Sequence, residues 1–286
     1  MQYHLCPGLS RARWWRLTLG LGMPFATVLW LFRSVQPPIP VVSSVNDQCA
    51  EKLFTYNNPN NYDEVLSEES VHYVGSAKFT NKIAEADAQW KDRSIQHTGR
   101  FGAIHQYLER LLKSSTDRET KVLELGFGAG TNMIVAHELL KHDGEIWGIE
   151  LTRGWVEHAL ANFDEAGLRF VQGDITRAEE YLPSGIQFDV IFLADVWEHI
   201  PPYRLGYLWN NISKLLKRTG KLYIHIPNEA KQRAEQTIGG GQFFEEVVLV
   251  EDLLKQARCF GMTLQELGTD DNSEHSYISL VFRFQR

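Results

Sequence analysis

A doubly wound, mostly parallel α/β sheet of seven strands is predicted by three observations on this chain. From Lys121 onward, short runs rich in Val, Ile, Leu and Phe alternate with amphipathic, helix-patterned segments. The first run, Val122-Leu-Glu-Leu125, passes through Gly126-Phe-Gly-Ala-Gly130 straight into a helix pattern. Four acids, Glu124, Glu150, Asp174 and Asp195, fall inside or just past four successive strand-like runs. Strands joined through helices pair in parallel and are covered on both faces. Ligands of such sheets sit outside the carboxyl ends of the strands, where these acids would gather.

The pattern predicts strands at Lys121–Leu125, Glu145–Glu150, Leu168–Gln172, Asp189–Ala194, Lys221–Ile226, Thr263–Leu267 and Tyr277–Phe284. Helices are expected over Thr131–Lys141, Thr152–Ala166, Tyr203–Lys217 and Val247–Phe260. The last two strands are separated only by the turn-rich Gly268-Thr-Asp-Asp-Asn-Ser-Glu274, so they should form an antiparallel hairpin at the edge of the sheet. Upstream, Gly99–Ser114 carries a helical apolar stripe of Phe101, Ile104, Tyr107, Leu108, Leu111 and Leu112. Ser76–Arg93 is compatible with a second helix. The pair could roof the carboxyl edge of the sheet as a lid or merely pack on it.

Three regions follow: residues 1–35 as an anchor or targeting segment, 36–72 as a Pro/Ser/Asn-rich linker, and 73–286 as the folded domain, with lid helices in 73–114. Leu17–Phe32 is free of charge and is flanked by Trp14, Trp15 and Arg16. An uncleaved signal anchor through residues 14–33 would keep its arginine-rich side cytosolic and place the domain in a lumen, as a single-pass membrane-associated protein. A transit peptide for organelle import and a cleaved signal are the rival readings. Net charge is −7, yet residues 1–46 hold four arginines and no acid or lysine. The acidic remainder argues against nucleic acid as a partner. Oligomeric state is not written in the pattern.

The glycine loop is spaced G-x-G-x-G, with Thr131 where a dinucleotide fingerprint wants its third glycine. A nicotinamide-dependent oxidoreductase is therefore disfavoured, and the absence of a following Lys-Ser/Thr excludes a P-loop. Glu124 beside the loop would repel a pyrophosphate but could hold an ammonium. Glu150, with Leu151 next to it, stands where a carboxylate can accept from two ribose hydroxyls; the alternative is a solvated acid or a cap of the next helix. Asp174 and Ile175 are placed to meet an adenine ring, and Asp195 closes the fourth strand.

Together, Val122-Leu-Glu-Leu-Gly-x-Gly-x-Gly130, the acid ending strand two, Gly173-Asp-Ile175 and Asp195-Val-Trp-Glu-His-Ile200 resemble the class I S-adenosylmethionine-dependent methyltransferases. The last segment is similar to that of small-molecule O-methyltransferases of the ubiquinone-biosynthesis type. The resemblance implies a Rossmann-like fold and S-adenosyl-L-methionine as cofactor, bound through Glu124, Gly126, Phe127, Gly128, Gly130, Glu150, Leu151, Asp174, Ile175 and Asp195. It implies methyl transfer to a small-molecule oxygen, with nitrogen second. A membrane-tethered protein that binds the cofactor without catalysis is the alternative from another class.

His199 is the expected general base, with Glu198 to orient it, because an imidazole titrates near neutrality. It could equally cap a helix or stack beside the cofactor. Tyr73, Trp90, Trp197, His225 and Phe243 are expected to border the substrate, although His225 also reads as a core histidine. Cys6, Cys49 and Cys259 show no metal-ligand spacing, so no metal site is expected. Cys49 and Cys259 could pair in an oxidising compartment or remain a loop thiol and a buried one. Asn211-Ile-Ser213 is a glycosylation sequon whose use would require a lumenal domain.

Overall fold

The structure, a computed structural model, describes residues 99–113, 120–237, 246–269 and 276–285, together with Asn81 and Ala84. The apolar N-terminal run, the linker, most of the first lid segment, Tyr73, Trp90 and Phe243 lie outside the described residues. Among the described residues no helix is long and apolar enough to cross a membrane.

The elements are α1 (Gly99–Lys113), β1 (Lys121–Leu125), α2 (Thr131–Leu139), β2 (Glu145–Glu150), α3 (Arg153–Asn162), β3 (Leu168–Gln172) and β4 (Phe188–Ala194). They continue with α4 (Pro202–Leu215), β5 (Leu216–Pro227), α5 (Glu229–Thr237), α6 (Val250–Cys259), β6 (Met262–Thr269) and β7 (Tyr277–Phe284). Short 3₁₀ turns at Ile175–Glu180 and Trp197–His199 follow β3 and β4.

The strands form one sheet in the order β3-β2-β1-β4-β5-β7-β6. β1 through β5 pair in parallel, and β7 is antiparallel to both β5 and β6. The expected hairpin is present, with β7 inserted between β5 and β6. The order reverses at β1, so the carboxyl ends of β1 and β4 flank the crevice such sheets offer to a ligand.

Each sheet face has its own apolar cluster. On one face Ile104 and Leu108 of α1, Met133 of α2 and Val156 of α3 cover Val122, Ile146, Phe192 and Tyr223. On the other, Leu208, Trp209 and Ile212 of α4 and Leu253 of α6 cover Leu123, Ile191, Leu222 and Phe282. Each such buried large apolar side chain stabilises by about 1.5–3 kcal/mol relative to leaving it in water. β5 begins five residues before its expected start and shifts register against β4 between Phe188 and Val190. Gly220 permits this, because a Cβ there would stand 2.9 Å from Lys217 O and 3.0 Å from Asp189 O.

Three other features depart from the expected pattern. α5 has no apolar stripe and was not anticipated; buried Gln232 anchors it and its Oε1 accepts from Val248 N at 2.7 Å, tying the two sides of segment 238–245. The sequon Asn211 is buried, and its Nδ2 donates to Thr176 O and Tyr207 O while Oδ1 accepts from Glu179 N. That amide locks α4 to the 3₁₀ turn after β3 and is not presented to a glycan-transferring enzyme in the folded domain. Cys259 is disulfide-bonded, which overrides its reading as a free buried thiol. Cys6 and Cys49 lie outside the described residues.

Candidate active site

β1 is buried along almost its whole length and ends in a turn whose backbone favours glycine. Gly126, Gly128 and Gly130 have φ of 82°, 51° and 82°, in the left-handed region. At Gly126 space is also restricted, since a Cβ would stand 2.5 Å from Val196 Cγ2. Above Gly128 the reverse holds: nothing lies within 4 Å of a Cβ position, so the crest of the loop faces open space. Phe127 turns inward and packs edge-on against Phe170 at 5.3 Å. Its side chain belongs to the core, and only its backbone can meet a ligand.

Glu150, at the end of β2, is buried and reaches back to this loop. Its Oε2 accepts from Gly128 N at 3.0 Å and its Oε1 from Thr152 N at 2.8 Å. Burial raises its pKa, and the amides of Thr152 and Gly128 work against that shift. Leu151 beside it is exposed. After β3, Asp174 Oδ1 accepts from both Thr176 N and Thr176 Oγ1 at 2.8 Å, which fixes the carboxylate beside buried Ile175.

Glu124 lies beneath the loop and is 1% exposed. Its Oε1 accepts from Asn132 Nδ2 at 2.9 Å, and Asn132 Oδ1 in turn lies 3.2 Å from His105 Nε2 of α1. Its Oε2 is buried with no hydrogen-bond partner. Burial, reinforced by the nearby Glu150 charge, holds its pKa well above the ordinary carboxylate range. An unpartnered buried carboxylate oxygen is costly unless a cationic donor arrives. The amino group of an amino-acid-bearing cofactor is such a donor, so the residues fit the ligand expected from the sequence.

This predicts a pH dependence of definite sign. The native state holds the Glu124 proton more tightly than the unfolded chain does. The ligand-free domain therefore loses stability as pH rises from the ordinary carboxylate range through the raised folded-state value. Pairing with an ammonium requires the ionised form, so binding expels the proton and affinity should rise with pH across the same window. Titration calorimetry with S-adenosylhomocysteine should show this proton release in two buffers of different ionisation enthalpy. Glu124→Gln should abolish the release; if it persists unchanged, Glu124 is not its source.

The fourth acid behaves unlike the other three. Asp195 has φ 56°, an unusual backbone for a residue other than glycine, and this turns its carboxylate sideways toward β5. Its Oδ1 meets His225 Nδ1 at 2.6 Å. His225 is fully buried, stacks on Tyr277 of β7 at 5.0 Å, and its Nε2 has no hydrogen-bond partner. A carboxylate at Nδ1 places the ring proton there and leaves a lone pair at Nε2. The expected pair is adjacent but looser: His199 Nε2 lies 3.8 Å from Glu198 Oε1, within ion-pair distance and longer than a hydrogen bond. Trp197 is another correction. It is 2% exposed and packs on Trp209 at 4.9 Å, inside the core rather than along an open wall.

The sequence reading missed Asn132 and the pairing of Asp195 with His225. The signal for the latter was the register of strands four and five, which pairs Ala194 with His225 and so sets His225 beside Asp195.

A family model described as a methyltransferase domain matches residues 116–265. Among curated proteins, the protein-L-isoaspartate O-methyltransferase of Aliivibrio fischeri is 30% identical over 129 residues, covering 45% of this chain and 57% of that protein. The match thus spans little more than half the length of that relative. Two solved structures share the fold. One is a TehB-like S-adenosylmethionine-dependent methyltransferase from Corynebacterium glutamicum (TM-score 0.50, 19% identity, 72% of this chain and 100% of that one). The other is an S-adenosylmethionine-dependent methyltransferase from Clostridium acetobutylicum (TM-score 0.54, 16% identity, 71% and 99%).

Proposed function

The chain belongs to the class I S-adenosylmethionine-dependent methyltransferases, and from that premise we propose that it methylates an oxygen, in preference to a nitrogen, of a small-molecule acceptor. When bound, S-adenosylmethionine supplies an electrophilic methyl group on a sulfonium sulfur. Glu124 and the Gly126–Gly130 loop would hold its amino-acid part, Glu150 its ribose, and Asp174 with Ile175 its adenine. The protein's remaining tasks are to orient the acceptor, exclude water and take up a proton.

The observation that carries a catalytic reading over a merely cofactor-binding one is the Asp195–His225 pair. His225 Nε2 is buried and unpartnered at the strand ends that border the cofactor crevice. A purely structural histidine there would leave a polar atom unsatisfied for no return. As a base, Nε2 would take the proton that a hydroxyl acceptor releases as its oxygen forms the new C–O bond and the methyl–sulfur bond breaks, leaving a neutral thioether. Asp195 stabilises the resulting imidazolium. A hydroxyl gains more from such a base than an amine, which is already nucleophilic when neutral.

The direct test is transfer of a labelled methyl group across a panel of acceptors: planar phenols, aliphatic and aromatic carboxylates, amines, and an isoaspartyl peptide, since the A. fischeri relative is named for that substrate. Labelled product from phenols or carboxylates at rates above those from amines is expected. Stoichiometric binding of S-adenosylhomocysteine with no transfer to any class would favour the non-catalytic alternative.

A further inference from the structure

We propose that His137, His142 and Glu165 form a divalent transition-metal site at the end of the sheet opposite the glycine loop, with zinc as a fitting ion. The three residues come from the last turn of α2, the α2–β2 turn and the α3–β3 turn. His137 Nδ1 lies 3.0 Å from Glu165 Oε2 and 3.0 Å from His142 Nδ1, and His142 Nδ1 lies 3.2 Å from the same Glu165 oxygen. These atoms make a nearly equilateral triangle. A point out of its plane can lie roughly 2.0–2.2 Å from all three, the range of zinc–imidazole and zinc–carboxylate bonds.

Protons alone serve this triangle badly. If both Nδ1 atoms carry hydrogen toward Glu165, two N–H groups crowd each other at 3.0 Å. If one imidazole accepts from the other, its lone pair also faces the carboxylate oxygen. A cation is the one occupant toward which all three lone pairs can point.

The backbone is shaped to the same end. Lys141 and His142 both adopt the left-handed region, with φ of 55° and 63°, although neither is glycine. That reversal, closed by His142 N donating to His137 O at 3.0 Å, returns the His142 ring to His137, with the rings 4.5 Å apart and nearly perpendicular. His137 is buried, whereas the His142 and Glu165 side chains are 57% and 42% exposed, so a fourth position is open to water. Two imidazoles and one carboxylate with an open position are one of zinc's ligand sets, and iron(II) accepts the same three side chains. Spacing rules built on Cys/His pairs miss the set, because its third ligand is a glutamate on another turn.

The test uses the whole chain, stripped with chelator and titrated with zinc chloride against a chromogenic competitor. One tight equivalent is expected, with a rise in Tm. His142→Ala and Glu165→Gln, both at exposed side chains, should each weaken that binding by more than about 10-fold and remove the rise, while S-adenosylhomocysteine affinity stays unchanged. Wild-type protein that binds no zinc, or variants that bind it as tightly as wild type does, would overturn the assignment.

Discussion

His225→Asn is expected to lower kcat by about 10²–10⁴-fold while leaving S-adenosylhomocysteine affinity within about twofold. Asparagine can still donate to Asp195 from the place of Nδ1, but it has no atom at Nε2, so the variant separates the base from the scaffold. Asp195→Asn tests the same pair from the other side. Asparagine tolerates the left-handed backbone at 195, so a loss of turnover there reports the carboxylate rather than misfolding. A fall in kcat with unchanged cofactor affinity is the readout that a merely structural role would not give. His199→Ala is the comparison variant and, with the base assigned to His225, should retain most activity. Full turnover in His225→Asn, or collapse only in His199→Ala, returns the role to His199.

The second large effect is at Glu150. Its two oxygens bond the amides of Gly128 and Thr152, so it shapes the loop as well as standing where the proposed ribose contact would form. Hydrogen bonds to a charged group contribute about 1.5–3 kcal/mol each. Removing the carboxylate should therefore weaken S-adenosylhomocysteine binding by about 100-fold or more in Glu150→Ala. Glu150→Gln keeps one accepting oxygen and should fall between the two. Thermal unfolding of the ligand-free variants divides the effect. The lost amide acceptors destabilise, whereas relief of a buried carboxylate offsets part of that loss. Calorimetric affinity equal to wild type in Glu150→Ala would remove Glu150 from the cofactor site.

Much of this architecture could be read from local pattern. Strands buried on both faces leave continuous apolar runs such as Val190-Ile-Phe-Leu193, and the helices between them leave stripes, as in α4. The placement of the glycine loop and of Glu124, Glu150 and Asp174 was legible for the same reason: each is set by its position in or just after one strand. What pattern could not supply was partnership across strands. His225 looked like a core histidine because nothing local announces that β5 pairs with β4 in the register that sets it against Asp195. Trp197 looked like a substrate wall because adjacency to Asp195 in sequence says nothing about which way an indole turns after a 3₁₀ turn. α5 escaped because it rests on one buried glutamine instead of a stripe.

The position of β7 has a consequence for how the domain is made. Of the seven strands it is the last to be synthesised, yet it lies inside the sheet, between β5 and β6. Until it arrives, β6 has no neighbour and the outer edge of β5 is bare, with Tyr223 lacking Ser279 and His225 lacking Tyr277. The half that would hold the methyl donor, built on β1 to β4, is complete much earlier in translation. On the proposed roles, a nascent chain would complete its cofactor pocket before Tyr277 stacks on His225, and acceptor chemistry would wait on the closing strand.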